Sequence, residues 1–179
     1  MINQKLEQNI YLIGFMAAGK SSIGKKLAEA LTFRFVDLDD WLEKEEKQTI
    51  SSIFSEKGEA FFRKREQYYL QKTANLERYV IATGGGTPCY FDNMENIKHS
   101  GLSFYLRNSP EFLAQRLMNE KAKRPLVNNF ENISNLTFFV EKKLKEREKF
   151  YQQADFTIHC LDKNIKNIVD EILSFFKTI

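Results

Sequence analysis

Residues 14–21 read Gly-Phe-Met-Ala-Ala-Gly-Lys-Ser, with the spacing G-x-x-x-x-G-K-S. A loop of this kind wraps an anion with its own backbone N–H groups, and side chains at Gly14 and Gly19 would obstruct it. A helix that follows directly aims its positive end at the same anion. Lys20 can then bridge the outer phosphates of a nucleotide, and the Ser21 hydroxyl can ligate Mg²⁺. The motif needs an apolar strand before it and a helix after it. Both flanks fit: Asn-Ile-Tyr-Leu-Ile precedes the loop, and Ile23, Leu27 and Leu31 follow at helical spacing. The loop therefore reads as a site for ATP or GTP with Mg²⁺ and leaves the phosphate acceptor open.

Other residues could complete that chemistry. Val36-Asp37-Leu38-Asp39-Asp40 ends a second apolar run. Strand alternation puts Asp37 and Asp39 on the same side, at the carboxyl end beside the loop. They are the acids available for metal and acceptor, since the runs 79–83 and 102–106 contain none. Helix capping accounts for Asp39 or Asp40 but, on this register, not for Asp37. Arg63 and Glu66 stand three apart on a helix, so the acid can hold the arginine's fork for a carboxylate ligand. Taken alone, an ordinary surface ion pair explains them better. Gly84-Gly85-Gly86 permits a tight turn with positive φ, or close approach of backbone to a ligand. Arg124 lies in a polar, Asn-rich stretch that reads as a mobile loop closing over the nucleotide; a plain solvated loop has the same composition. Arg147, between Glu146 and Glu148, is unremarkable in isolation.

These residues need a frame, and the chain alternates short strands with helices. Strands are expected over 9–14, 34–38, 79–83, 102–106 and 156–160. Helices are expected over 21–31, 41–46, 50–55, from 59 to about 74, and from a cap at Asp92 to before Gly101. Further helices start at Ser109-Pro110-Glu111, run over 137–151, and follow the stripe Ile165, Ile168, Val169, Ile172, Leu173 and Phe176. The alternation implies an α/β fold of three α/β/α layers: a five-stranded parallel sheet with helices on both faces. Ligands bind beyond the carboxyl ends of such strands, where the special residues cluster.

Composition narrows the class. The chain has 179 residues, 42% hydrophobic and 28% charged, with no repeat or linker, so one domain over 1–179 is expected. A net charge of +3, from 27 Lys+Arg and 24 Asp+Glu, is too small a bias for nucleic acid. No apolar run approaches the ~18–20 residues of a membrane helix, and residues 1–9 lack a signal-peptide pattern. Cys89 and Cys160 are far apart and have no metal spacing, so a reduced, cytoplasmic protein is expected; their positions permit a disulfide but do not suggest one. No apolar stripe is left over from the core helices, so a monomer is expected.

Taken together and in this order, the residues resemble the shikimate kinase family, from Ile10 to the terminal helix. The loop 14–21, Asp37-x-Asp39, Phe62-Arg63-x-x-Glu66, Gly84-Gly85-Gly86, Arg124-Pro125-Leu126, and Arg147 four residues before Tyr151 carry the resemblance. The loop is widely shared; the combination is specific. The resemblance implies a P-loop kinase of the nucleoside monophosphate kinase-like fold, with a mobile lid over about 119–136 and a shikimate-binding helical region over about 39–75. It implies transfer of the ATP γ-phosphate to the 3-hydroxyl of shikimate, on the route to chorismate and the aromatic amino acids, with Mg²⁺.

On that resemblance Gly14, Ala17, Ala18, Gly19, Lys20, Ser21 and Ser22 hold ATP, with Arg116 near adenine and Arg124 reaching the phosphates from the lid. Ser21 and Asp37 serve the metal, Asp37 through water. Lys20, Asp39 and Arg124 form the catalytic set, Asp39 meeting the acceptor hydroxyl as base or orienting group. Arg63 and Arg147 grip the shikimate carboxylate, and Glu66 orients Arg63. Gly84, Gly85 and Gly86 meet the substrate through backbone, and Phe54 and Phe62 line its pocket. Two departures stand out: Ala17-Ala18 where the family often has more glycine, and a late adenine-contacting position that falls near Lys163-Asn164. The rivals are a gluconate kinase of the same fold, a nucleoside monophosphate kinase, and a non-catalytic nucleotide sensor. The first has less reason to combine Arg63, Arg147 and Asp37-x-Asp39. The second lacks a recognisable base-binding pattern after Asp39. The third would expect decay of Lys20, Asp39 or Arg63.

Overall fold

Asn9–Ile13, the first apolar run, is buried at every residue, as a strand covered on both faces must be. It forms β1, the central strand, in a computed structural model that describes residues 8–120, 127, 130 and 132–177. Beside it lie β2 (Arg34–Asp37), β3 (Tyr79–Ala82), β4 (Gly101–Arg107) and β5 (Phe156–His159), in the order β2-β3-β1-β4-β5. Every neighbouring pair is parallel. Parallel strands need long crossovers, and helices supply them: α1 (Lys20–Leu31), α2 (Leu38–Glu46), α3 (Ile50–Lys72), α4 (Asn93–Ser100), α5 (Pro110–Asn119), α6 (Ile133–Tyr151) and α7 (Ile165–Lys177).

Both faces are covered. On one, α1 comes so close that a Cβ on Gly24 would lie 2.5 Å from the Phe35 ring and 3.3 Å from Leu12, and α7 packs against α1. On the other, Asn9 Nδ2 donates to the Thr73 carbonyl (3.1 Å), and the Tyr11 hydroxyl bonds Thr73 Oγ1 (2.7 Å), just past α3. Among the described residues no helix is long and apolar enough to cross a membrane.

The ends of the elements follow local chemistry. Ser109 caps α5 by accepting from Phe112 N, with Pro110 in the first turn, as expected. The two helices expected around Gly58 are the two arms of α3, which breaks at that glycine in a non-helical conformation (φ 79, ψ 169). Asp92 stands at the start of α4 but makes no side-chain cap bond there. Helix α6 starts at Ile133, inside the stretch read as loop, because Asn132 caps it through Asn135 N. Ile165, expected in the apolar stripe, is 42% exposed, whereas Ile168, Val169 and Ile172 are buried.

Candidate active site

All five strands point their carboxyl ends to one edge, and β1 runs there into the loop 14–20. Gly14 has φ +141, and a Cβ on it would lie 2.9 Å from the Leu106 carbonyl oxygen, so conformation and space both demand glycine. Ala17 takes φ +62 without that freedom, which costs about 1 kcal/mol or more. Lys20 is 8% exposed; its Nζ donates to the carbonyls of Gly14 (2.9 Å) and Phe15 (2.8 Å). The ammonium is thus held within the loop whose amides it complements.

The loop faces a cavity of about 150 Å³. Of the residues singled out from sequence, Ala17, Gly19, Lys20, Ser21, Ser22, Asp37, Asp39, Gly85 and Arg116 line it. Met16, Thr83 and Glu120 also line it and were not foreseen. Thr83 ends the third strand run, a position from which the sequence reading drew only a missing acid. A second cavity, of about 60 Å³, adjoins through Gly19, Ser22 and Arg116 and reaches Ala18, Lys163 and Ile165. Of the late pair Lys163-Asn164, it is Lys163 that lines this cavity. Arg124 lies outside the described residues, as does half of the stretch read as a lid.

Asp37 and Asp39 do come together, but not by strand alternation. Strand β2 ends at Asp37, and Asp39 belongs to the first turn of α2. Asp37 is the cap of that helix after all: its Oδ1 accepts from Asp39 N (3.1 Å). Its Oδ2 accepts from the Ser21 hydroxyl at 2.5 Å, so the capping acid also meets the loop. Ser21 and Asp37 together offer hard oxygen donors beside the phosphate loop, the donor chemistry Mg²⁺ prefers. Burial, then the Glu66 and Asp37 carboxylates, push Asp39 from 3.8 up to about 7, while Lys20 and Arg63 pull the other way.

The third strand leads into Gly84-Gly85-Gly86. The segment does turn, with Thr87 N donating to the Gly84 carbonyl (3.2 Å), but none of the three takes the left-handed φ that would demand glycine. They supply space. A Cβ on Gly84 would lie 2.7 Å from Glu66 Oε1 and 2.8 Å from Asp39 Oδ1. On Gly85 it would lie 2.9 Å from Met16 N, and on Gly86 2.8 Å from Arg63 Nη1. Each glycine thus admits a different part of the site.

Arg63 and Glu66 are no surface pair: their side chains are 10% and 1% exposed, and Nη1 meets Oε2 at 2.8 Å. Phe62 is buried, its ring 4.9 Å from the Arg63 guanidinium and 4.7 Å from Phe54. Arg147 lies 5.4 Å from the Phe15 ring, and its Nη1 is buried with no hydrogen-bond partner among the described residues. Tyr151, one turn later, donates from its hydroxyl to the Gly85 carbonyl and ties α6 to the glycine segment. The site therefore joins a phosphate loop, an acid, the buried Arg63 and the half-buried Arg147 across one stretch of glycines.

The chain matches the sequence model of the family described as shikimate kinase over residues 16–177. It belongs to the shikimate kinase family. A shikimate kinase of Azobacteroides pseudotrichonymphae is 40% identical over 93% of this chain and 98% of its own. The crystal structure of a Bacteroides thetaiotaomicron shikimate kinase shares 34% identity, with a TM-score of 0.89 over 96% of this chain and 99% of that one. An Acinetobacter baumannii shikimate kinase in complex with shikimate has a TM-score of 0.87 at 33% identity, covering 98% and 96%. Shikimate kinases use ATP as phosphate donor, which suits the loop and its cavity. The sequence reading missed two neighbours of Arg63. Glu59 accepts from its Nε and Nη2 (3.2 and 3.1 Å), and Tyr90 covers its plane at 4.2 Å. The i, i+4 spacing of Glu59 and Arg63 was a visible signal; nothing local marked Tyr90.

Proposed function

We infer that this chain transfers the γ-phosphate of ATP to the 3-hydroxyl of shikimate, giving shikimate 3-phosphate and ADP. The observation that carries the acceptor is the buried Nη1 of Arg147, which has no hydrogen-bond partner among the described residues; its charge acts on the same Glu59 and Cys89 as that of Arg63, which acids already hold. Buried donors without partners are rare, and a guanidinium matches a planar carboxylate in two-pronged geometry. The Acinetobacter relative holds shikimate on a closely similar fold.

The chemistry asked of the protein is mostly positioning and charge stabilisation. Arg63 and Arg147 fix the acceptor carboxylate, with Glu66 orienting Arg63 and Phe54 and Phe62 packing beside it. The backbone of Gly84, Gly85 and Gly86 admits the acceptor to the acid. Asp39 takes the hydrogen bond of the 3-hydroxyl, and a carboxyl near 7 is matched to accepting its proton at neutral pH. Lys20 and the loop from Gly14 through Ala17, Ala18 and Gly19 to Ser22 hold the phosphates, and Arg116 lies against the nucleoside. Arg124 is assigned to the phosphates by the family pattern alone. Ser21, with Asp37 behind it, would hold Mg²⁺, which when bound neutralises charge on the phosphates. We place the protein in the cytoplasm as a monomer; its free cysteines, Cys89 and Cys160, suit a reducing compartment.

The test is ADP release from MgATP with shikimate, against gluconate and no acceptor. Turnover that depends on shikimate is expected. ATP binding without it would keep the cradle and sink the acceptor.

A further inference from the structure

The family roles leave unexplained why Arg63 has more partners than Glu66 alone. Its guanidinium carries N–H donors on Nε, Nη1 and Nη2. Glu59 Oε1 takes the Nε–Nη2 side, at 3.2 and 3.1 Å. Glu66 Oε2 takes Nη1, at 2.8 Å. The Tyr90 ring lies 4.2 Å from the Arg63 carbon. Of its five N–H groups, Glu59 takes those on Nε and one on Nη2, and Glu66 takes one on Nη1; one on each of Nη1 and Nη2 is left for a ligand carboxylate.

Glu59 is a weak anchor by itself. Its side chain is 53% exposed, and exposed pairs hold geometry poorly. It also follows the Gly58 kink of α3 directly. Tyr90 supplies what Glu59 lacks: its hydroxyl donates to the same Oε1 at 2.8 Å. One oxygen thus joins Nε, Nη2 and the tyrosine hydroxyl. The other acid is held from the same segment, where Thr87 Oγ1 donates to Glu66 Oε1 at 2.6 Å. Residues 87–90 therefore fix both carboxylates that aim Arg63.

We infer that Tyr90 is a positioning residue for recognition of the acceptor's carboxylate: through Glu59 and by covering the guanidinium, it makes Arg63 present its Nη1–Nη2 end. The inference deepens the reading of Arg63 as a carboxylate ligand and rests on it. Tyr90 touches neither the phosphate cavity nor Asp39, so its effect falls on acceptor binding. A residue that merely supported the fold would disturb ATP and shikimate alike.

Tyr90→Phe keeps the ring and removes the hydroxyl. It is expected to raise KM for shikimate about fivefold to tenfold, the scale of one ordinary lost hydrogen bond, with KM for ATP and kcat within about twofold. Glu59→Gln is expected to do the same, and the double variant to add little, because both changes act on one junction. The second readout needs no turnover. The Arg63 Nε–H signal in NMR, identified by its loss in Arg63→Lys, is expected to exchange faster with solvent in Tyr90→Phe. An unchanged KM for shikimate, an equal rise for ATP, or an Nε–H signal unmoved by the variant would each overturn the inference. If the wild type shows no shikimate-dependent ADP release, the acceptor assignment falls, and the Nε–H signal decides the clamp by itself.

Discussion

Replacing Asp39 by Asn should stabilise the unliganded protein, and more so as pH rises. The folded chain holds the Asp39 proton up to about 7, whereas the ordinary value is 3.8. Between those values the unfolded chain has released its proton and the folded one has not. The folded state therefore binds more protons, and the wild type loses stability as pH climbs from about 4 to about 7. A displacement of about three pH units, at about 1.4 kcal/mol each, costs about 4 kcal/mol once both states are ionised. At pH 5 the cost is about 1.5 kcal/mol, because the folded carboxyl is still protonated. Asn has nearly the same shape and no proton to lose, so subtraction cancels every other titration. For a chain of this size, 1 kcal/mol moves Tm by about 2–4 °C. Melting of both proteins without ligands should thus show the Asp39→Asn variant ahead at pH 5, with the gap widening by roughly 5–10 °C at pH 8. A gap that does not change with pH, or a wild type that melts higher at pH 8, would refute the claim that burial beside Glu66 and Asp37 strains this carboxylate.

Other changes test the remaining parts. Lys20→Ala should cut kcat at least ~10²-fold, the scale of losing one charge-stabilising donor; near-normal turnover would contradict the cradle. Arg63→Ala should raise KM for shikimate by roughly 30-fold or more while sparing ATP, and it should lower stability by about 3–5 kcal/mol by stranding the buried Glu66. Equal effects on both substrates would remove Arg63 from the carboxylate. Gly84→Ala forces a carbon to within 2.7 Å of Glu66 Oε1. It should cost about 1–3 kcal/mol in denaturant unfolding and slow turnover by displacing Asp39; an unaffected enzyme would mean that the two acids are not crowded over that glycine.

Much of this site was legible because its signals are local. The spacing from Gly14 to Ser21, the alternation of strands and helices, and the Arg63–Glu66 step each depend on neighbours in sequence. The errors came where two local rules competed. Asp37 and Asp39 were read as alternating along one strand, yet the strand ends at Asp37, one residue short of the run 34–38, so Asp37 both caps α2 and receives Ser21. The start of α6 was hidden because Asn132 sits in an Asn-rich stretch whose composition suggests loop. The triple glycine was visible, but its reason was not. Positive φ is a property of one residue, whereas the Glu66, Met16 and Arg63 atoms that need the space come from distant parts of the chain. Tyr90 was illegible for the same cause, since its partners Glu59 and Arg63 lie about thirty residues away.

The glycine segment also acts as a ruler. Gly85 abuts the phosphate loop at Met16, Gly84 lies beneath Asp39, and Gly86 lies beneath Arg63. Their Cα atoms span at most ~7 Å, a length fixed by covalent bonds. On the proposed roles, donor, acid and carboxylate anchor are thus gauged against three consecutive residues, not against helices that can slide. When α1, α3 or α6 shifts, each carries its own part of the site relative to the same short scale. The separation between giver and receiver of the phosphate is, in this protein, a matter of bond lengths before it is a matter of packing.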